Sequence, residues 1–449
     1  MVVEAQQMDA AQALIQRFRS KDATIAVVGL GSVGIPIAAA FARAGFGVIG
    51  LDIDEERVAA LGRGEKPLAH LDGALVDALC GHERFEVTSD ERRLADAHAK
   101  IVCVPTPLGP HREPDLSKVE AAVDAIARSA RPGQLVVLES TTYPGTTRTI
   151  VAERLRRAGL RPGEDCFVAF SPEREDPGRQ DWSTRTTPKL VGGIDERSAD
   201  VACALYEQAV REVVRTSSSE VAEAAKLLEN VYRAVNIALV NELKVVLDAM
   251  QIDVWEVIEA ASTKPFGFTR FTPGPGMGGH CIPVDPFYLT WAARRFGLST
   301  KFIELAGEIN RRMPLYVVER AQAALNSIGK AVKGARVLVL GLAYKPEVSI
   351  VTESPSLVLL AELARLGAQV AYSDPFVPVP PAEGVPQLVR ELRSVDLDAA
   401  TLAEFDAVVL ATHHAALDLD LVGTHARLVV DTRNARAWGM LGDARSFRA

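Results

Sequence analysis

TIAVVGLGSVGIPIAAAFARAGFGVIGLD, Thr24 to Asp52, is the stretch whose reading decides the fold. A buried apolar run, TIAVVGLG, is followed by the alanine-rich PIAAAFARAG and then by a second apolar run, FGVIGLD. That order predicts a strand, a helix and a parallel strand. Gly29, Gly31 and Gly34 stand in G-x-G-x-x-G spacing between the first strand and the helix, and Asp52 closes the second strand. Glycines there let backbone approach a pyrophosphate at the helix N-terminus, and a carboxylate about twenty residues on accepts from the adenosine ribose hydroxyls. The stretch predicts a dinucleotide site. An acid at Asp52 in place of a basic residue predicts NAD over NADP.

Working outward, strands and helices keep alternating. AKIVCVPTP, QLVVLESTT and CFVAFSP read as strands, with helical segments such as LSKVEAAVDAIARSA between them, which implies a parallel sheet covered on both faces. Near residue 335 the pattern begins again: RVLVLGLAYKP resembles the first strand and turn, and LARLGAQVAYSD, Leu363 to Asp374, echoes FARAGFGVIGLD, Phe41 to Asp52. This second unit keeps only Gly341 of the glycine triplet, so its crevice is expected to hold a different ligand. Between the two lies SSSEVAEAAKLLENVYRAVNIALVNELKVVLDAM, with Ser217 and Glu220 at capping-box spacing and no Gly or Pro from Ser218 to Met250. It is apolar on more than one face, so it needs a partner surface, and a homodimer or larger homo-oligomer is expected.

The fold class predicted is α/β, with two Rossmann-like doubly wound domains joined by a long central helix. The expected boundaries are 1–215 for the NAD-binding domain, 216–315 for a helical dimerisation domain carrying a catalytic loop, and 316–449 for the second Rossmann-like domain.

Composition narrows the class. The 449 residues are 48% hydrophobic and 24% charged with a net charge of −8, and no Lys/Arg cluster forms a basic stripe, so nucleic acid is not an expected partner. Cys80, Cys103, Cys166, Cys203 and Cys281 are odd in number, scattered and free of C-x-x-C spacing; neither a disulfide framework nor a metal site is expected, and a reducing cytoplasm fits best. The first twenty residues carry acids and glutamines where a signal peptide needs an apolar run, and read as an amphipathic lead-in helix. No later stretch is apolar for long enough to suggest a membrane span.

Four of the cysteines sit in apolar strand or helix patterns and read as small buried hydrophobes. Cys281 differs, because GPGMGGHCIPVDP, Gly274 to Pro286, leads to it through glycines that leave backbone free to curve around a ligand. A nucleophilic thiol needs a base or a nearby cation, and an acyl intermediate needs oxyanion donors and an activated water. Lys226 and Asn230 lie at i, i+4 on one face of the long helix, and Asp285 follows Cys281 at a distance a tight turn can bridge.

GLGSVG, VPTPLGPHREPDLS, ESTTYPGTT, SPEREDPG, KLLENVYRAVNIALVNE, GPGMGGHCIPVDPFYLTW, GLAYKP, ESPS, YSDP and VVDTRN, in this order, resemble the UDP-glucose/GDP-mannose dehydrogenase family, nearest to its bacterial UDP-N-acetylglucosamine 6-dehydrogenase branch. The resemblance covers almost the whole chain after about residue 20. It implies oxidation of the C6 alcohol of a UDP-sugar to a carboxylate, with two NAD+ reduced per sugar. Cys281 would form a thiohemiacetal and then a thioester, which water cleaves. Lys226 and Asn230 would hold the negative oxygen, and Asp285 would orient Lys226 and a water. Thr141 matches the water-positioning threonine and Glu173 the acid/base glutamate. Arg57, Thr106 and Thr141 join the glycines and Asp52 as expected cofactor-binding residues. The substrate set implied is Glu173, Lys226, Asn230, Gly278, Gly279, Lys345 and Arg433, with the uridine diphosphate in the C-terminal domain. His280 is what the acetamido-sugar branch carries before the cysteine, and its role is open between a direct one and that of a satisfied loop residue.

Three places depart from the family pattern. Ser32 replaces an aromatic in the first glycine turn. Ser349, Ile350, Val351 and Thr352 replace two aspartates, a threonine and an arginine before ESP, and the lost arginine is expected to weaken cofactor binding by roughly tenfold or more. Arg270 stands where relatives tend to have an uncharged residue. A UDP-glucose or other nucleotide-sugar 6-dehydrogenase, a two-domain hydroxyacid dehydrogenase that has no need of Cys281, and a non-catalytic nucleotide-sugar-binding relative remain open alternatives.

Overall fold

The computed structural model describes residues 9–68, 71–109, 111–174, 184–279, 281–437, 439–442 and 445–449. The chain divides into two compact units, Met1–Glu229 with Phe287–Leu298, and Asn230–Pro286 with Ser299–Ala449.

The first unit is built on eight strands: β1 (Thr24–Val28), β2 (Gly47–Leu51), β3 (Phe85–Thr88), β4 (Ala99–Val102), β5 (Gln134–Leu138), β6 (Cys166–Phe170), β7 (Lys189–Gly193) and β8 (Val213–Arg215). Their order is β3-β2-β1-β4-β5-β6-β7-β8. Neighbours pair in parallel except β6 with β7. Strands β2, β4, β5 and β6 are buried at every residue, which is why they read as apolar runs without alternation, broken only by the hydrogen-bonded pair Lys100 and Gln134. The order reverses direction between β1 and β4, and a crevice opens beyond the carboxyl ends of strands at such a switch. The lead-in helix is real over Ala10–Ser20: Ala11, Leu14, Ile15 and Phe18, at helical spacing, bury one face in the core of this unit.

The second unit holds β9 (Arg336–Leu340), β10 (Gln369–Ser373), β11 (Ala407–Leu410), β12 (Val429–Asp431) and β13 (Ser446–Arg448), all parallel, in the order β10-β9-β11-β12-β13. Val337 and Val339 of β9 enter one core, Leu338 and Leu340 the other, so the period of two feeds both faces. The echo in the sequence is an echo in structure. Leu30 N donates to Asp52 Oδ2 at 2.7 Å in the first unit, and Leu342 N donates to Asp374 Oδ2 at 2.7 Å in the second.

The long helix spans Ser219–Ala249. Its cap sits one residue later than the spacing of Ser217 and Glu220 predicts: Ser218 Oγ accepts from Val221 N at 3.3 Å, and the Glu220 carboxylate is drawn to Arg148 at 2.8 Å. Leu228, Tyr232, Leu239 and Val246 remain exposed along it. Among the described residues no helix is long and apolar enough to cross a membrane.

Candidate active site

In the glycine turn the three positions are glycine for different reasons. Gly29 has φ +94°, and a Cβ there would meet Cys103 O at 2.8 Å; a Cβ on Gly34 would lie 1.8 Å from Gly29 O. Gly31 has no such protein neighbour within 4 Å, so what a side chain would fill there is open space at the helix N-terminus. Asp52 is buried at the end of β2, its Oδ2 accepting from Leu30 N and from Arg57 at 3.0 Å and its Oδ1 from Asp54 N at 3.0 Å. A carboxylate has roughly four lone-pair positions, so room for a further donor remains. An open cradle beside a buried acid fits a dinucleotide. Thr106 follows β4, the strand across the switch from β1, and its carbonyl accepts from the Tyr288 hydroxyl at 3.0 Å, with Pro107 O at 3.2 Å. Tyr288 belongs to the helix that follows the candidate thiol, Asp285–Arg294, and Trp291 one turn further along packs against Tyr143 with ring centres 5.0 Å apart and planes tilted by 43°, two residues from Thr141 in sequence.

Also in the first unit, Lys226 donates from Nζ to the Glu173 carbonyl, which brings two of the expected residues together. Both are largely buried. Glu173 accepts at Oε1 from Arg174 N at 2.6 Å, and its Oε2 lies 3.6 Å from Lys189 Nζ. Glu223, one turn before Lys226, accepts from Gly145 N at 2.6 Å and from Thr147 N at 2.8 Å, clamping the helix to the ESTTYPGTT segment that carries Thr141. Burial pushes its carboxyl up to about 7 against those donors. Glu223 lies outside every motif quoted for the family, and Tyr288, inside the one that carries the thiol, has no role assigned from the sequence; their partners reveal both.

In the second unit, Cys281 is exposed, whereas Cys103, Cys166 and Cys203 are buried and Cys80 is partly so. Burial pushes the Cys166 thiol up to about 12 and that of Cys203 to about 11, which leaves them unreactive. Cys281 O accepts from Asp285 N at 2.7 Å and from Val284 N at 3.2 Å, so the residues after the thiol close a tight turn. Asp285 is buried at the start of the next helix and accepts at Oδ2 from Asn230 Nδ2 at 2.6 Å. Before the thiol, Gly274 N donates to Asn241 Oδ1 at 3.0 Å and Gly279 N to Thr352 O at 2.8 Å. Gly278 lies so close to Tyr344 that a Cβ would meet its Cβ at 2.6 Å. His280 lies outside the described residues.

Arg433 donates from Nε to Ala411 O at 2.7 Å, and a Cβ on Gly274 would stand 2.9 Å from its Nη1, so Arg433 adjoins the start of the glycine loop. Burial lowers its guanidinium to about 10, still charged at neutral pH. Lys345 Nζ lies 5.8 Å from the Tyr344 ring centre. The acid that corresponds to Asp52 is spent here: Asp374 Oδ2 accepts from Leu342 N, from Ala343 N at 2.8 Å and faces His414 Nε2 at 3.2 Å, while Oδ1 accepts from Phe376 N at 2.8 Å and Val377 N at 3.1 Å. It has no lone pair to spare for a ribose, consistent with a second domain that takes another ligand.

The departure at 349–352 has a local explanation. Val351 is buried in the core of the second unit, Ile350 packs against it, and Thr352 holds Gly279 through its carbonyl, which any side chain provides. Arg270 pairs with Glu259 on the surface. Among the described residues no three His, Cys, Asp or Glu side chains are grouped to hold a metal ion.

Comparison with known proteins places these features. Residues 23–210 match the NAD binding domain of the UDP-glucose/GDP-mannose dehydrogenase family, 220–312 its central domain and 338–437 its UDP binding domain. The chain is 35% identical over 396 residues to the UDP-N-acetyl-D-glucosamine 6-dehydrogenase of Pseudomonas aeruginosa, covering 88% of this chain and 91% of that one. It is 35% identical over 424 residues to the NDP-N-acetyl-D-galactosaminuronic acid dehydrogenase of Ralstonia nicotianae, covering 91% and 95%. The solved UDP-D-ManNAc dehydrogenase of Pyrococcus horikoshii superposes with a TM-score of 0.84 at 32% identity, over 94% of this chain and 98% of that one. With all three domains of the family present in order, the chain belongs to the UDP-glucose/GDP-mannose dehydrogenase family and is an NAD-dependent nucleotide-sugar dehydrogenase.

Proposed function

We propose that the chain oxidises the C6 alcohol of a UDP-N-acetylhexosamine to the carboxylate through a covalent Cys281 intermediate, with UDP-N-acetylglucosamine as the favoured sugar. The observation that carries this reading is the turn in which exposed Cys281 accepts, at its carbonyl, the amide of Asp285, whose buried carboxylate is held by Asn230. A thiol fixed by its own backbone beside a buried acid and an amide donor suits the trapping of an aldehyde. The choice of sugar leans on the likeness to the Pseudomonas enzyme.

Gly29, Gly31, Gly34, Asp52, Arg57, Thr106 and Thr141 would hold NAD+, which when bound would supply the hydride acceptor for both oxidations. The first alcohol proton passes to a water held by Lys226 and Asp285. Cys281 then adds as thiolate to the C6 aldehyde: the C–S bond forms, and the carbonyl pair moves to oxygen, where Lys226 and Asn230 stabilise it. Loss of the second hydride leaves a thioester on Cys281. Water positioned by Thr141 attacks that carbon and gives its proton to Glu173, the C–O bond forms, and the C–S bond breaks to return the thiolate. Lys345 and Arg433 offset the diphosphate charge, while the loop at Gly278 and Gly279 wraps the sugar.

The exposed apolar residues of the long helix support a homodimer or larger homo-oligomer, and five cysteines that form no disulfide, one of them nucleophilic, suit the reducing cytoplasm. The test is kcat/KM for UDP-N-acetylglucosamine beside its manno and galacto epimers and UDP-glucose. A ranking led by UDP-N-acetylglucosamine upholds the proposal, an epimer in the lead corrects the sugar, and UDP-glucose in the lead removes the acetamido preference.

A further inference from the structure

The second sheet has its own switch in strand order, between β9 and β11, and the segments that leave those two strands are bonded to each other. The one after β9 carries Lys345. The one after β11 is Ala411 to Ala415. A Cβ on Gly341 would stand 2.4 Å from Thr412 O, and Thr412 Oγ1 donates to Ala343 O at 2.8 Å. Further along, Glu347 N donates to His414 Nδ1 at 3.1 Å, and Ala415 N donates to Glu347 Oε1 at 2.7 Å. Arg433 reaches the same segment, donating from Nε to Ala411 O at 2.7 Å.

Glu347 is the strained point of the turn. Its φ is +61°, a left-handed conformation that a side chain disfavours, and it is exposed to solvent. Only Pro346 separates it from Lys345. The proline ring fixes its own φ and restricts the residue before it, so the setting of Glu347 is passed stiffly to Lys345. His414, by contrast, is shut off from solvent. Its Nδ1 accepts an amide hydrogen, so its own hydrogen is on Nε2, which faces Asp374 Oδ2 at 3.2 Å, and the Phe376 ring packs on it with centres 5.0 Å apart. Asp374 thus fixes the ring, and the ring fixes the Glu347 amide.

We propose that His414 is a positioning residue for binding of the nucleoside diphosphate. Together with the Glu347 carboxylate it clasps the strained turn after Lys345 to the segment that also receives Arg433, so both cations are set before the diphosphate arrives. Without the clasp the turn relaxes, and affinity falls with the fraction of molecules that keep it. The inference rests on the reading of Lys345 and Arg433 as diphosphate-binding residues.

The experiment is calorimetric titration of the full-length chain with UDP, with Tm and NAD+ binding measured beside it. Glu347→Gln keeps an oxygen for Ala415 N and removes a negative charge, whereas Glu347→Ala removes both. Charge repulsion alone would make both variants bind UDP more tightly. The clasp predicts that Glu347→Ala binds about threefold or more weakly than Glu347→Gln. At the buried end, His414→Asn offers a carboxamide oxygen near the Nδ1 position and stays within about threefold of wild type, whereas His414→Gln leaves Glu347 N without its acceptor and raises the UDP Kd about tenfold. The loss falls on KM for the UDP-sugar, with kcat within about twofold. These two orderings support the proposal. It is overturned if Glu347→Ala binds UDP no more weakly than Glu347→Gln, or if folded His414→Asn binds no more tightly than folded His414→Gln. Should the His414 variants misfold, the exposed Glu347 pair decides alone. Lys345→Met is the control on the underlying reading. If it leaves the UDP Kd unchanged, Lys345 does not meet the diphosphate and the proposal falls with that reading; if it weakens UDP while the Glu347 pair shows no difference, only the clasp is overturned.

Discussion

Asn230 Nδ2 donates to Asp285 Oδ2 across 2.6 Å, tying the long helix to the turn that begins at Cys281. Both side chains are buried, so the bond is made away from competing water. Asn230→Asp sets a second carboxylate against the first, and the pair then shares a proton, raising one carboxyl in the folded state. A raised carboxyl contributes stability below its unfolded value and loses it as pH rises through the folded one. Thermal unfolding from pH 5 to 8 is expected to show a Tm deficit against wild type that widens with pH, and kcat falls about a hundredfold with the lost amide donor.

Gly31 and Gly34 separate binding from folding. Gly34→Ala drives a Cβ to 1.8 Å from Gly29 O, a backbone overlap that costs about 1–3 kcal/mol or more and lowers Tm. Gly31→Ala meets no protein atom within 4 Å, so stability stays within about 0.5 kcal/mol of wild type. The new methyl fills space left for a pyrophosphate, and calorimetry is expected to show NAD+ Kd raised about tenfold or more.

Asp52 holds Arg57 at 3.0 Å, and the same guanidinium pairs with Asp54 at 3.1 Å. Asp52→Ser removes the acceptor for a ribose and frees part of that guanidinium for a 2′-phosphate. The ratio of kcat/KM for NAD+ to that for NADP+ is expected to fall by about tenfold or more. An unchanged ratio would mean that Asp52 does not face the ribose.

Lys100 is buried in β4 with Gln134 as its hydrogen-bond partner, and burial lowers its ammonium to about 7. In the unfolded chain a lysine titrates near about 10.4. Between those values the unfolded chain binds a proton that the folded one releases, so this residue makes stability rise with pH from about 7 to 10; the contribution is lost as pH falls through about 7. Lys100→Met with Gln134→Leu is expected to flatten that rise and to raise Tm at pH 7, as replacement of a buried charge by apolar volume often does. Denaturant midpoints at pH 7, 8 and 9 test it.

What was legible in the sequence was local. The glycine triplet and Asp52 are readable because one β-α-β unit holds them at fixed spacing, and the i, i+4 relation of Lys226 and Asn230 follows from helical geometry alone. The cap of the long helix was missed by one residue because Ser217, Ser218 and Ser219 all suit it, and only the backbone path selects Ser218. Lys189 was invisible. Nothing in its neighbourhood along the chain shows that β7 reverses and carries it to Glu139 and Glu173, 50 and 16 residues away in sequence. Asp285 accepts from Asn230, a pairing that spacing along the chain does not reveal.

The central claim is a four-electron oxidation through Cys281, and the most direct test is NADH released per mole of limiting UDP-N-acetylglucosamine with excess NAD+, run beside Cys281→Ala. The account predicts two NADH per sugar for the wild-type chain and almost none beyond the first oxidation for the variant. One NADH per sugar from the wild type, or two from Cys281→Ala, would contradict it.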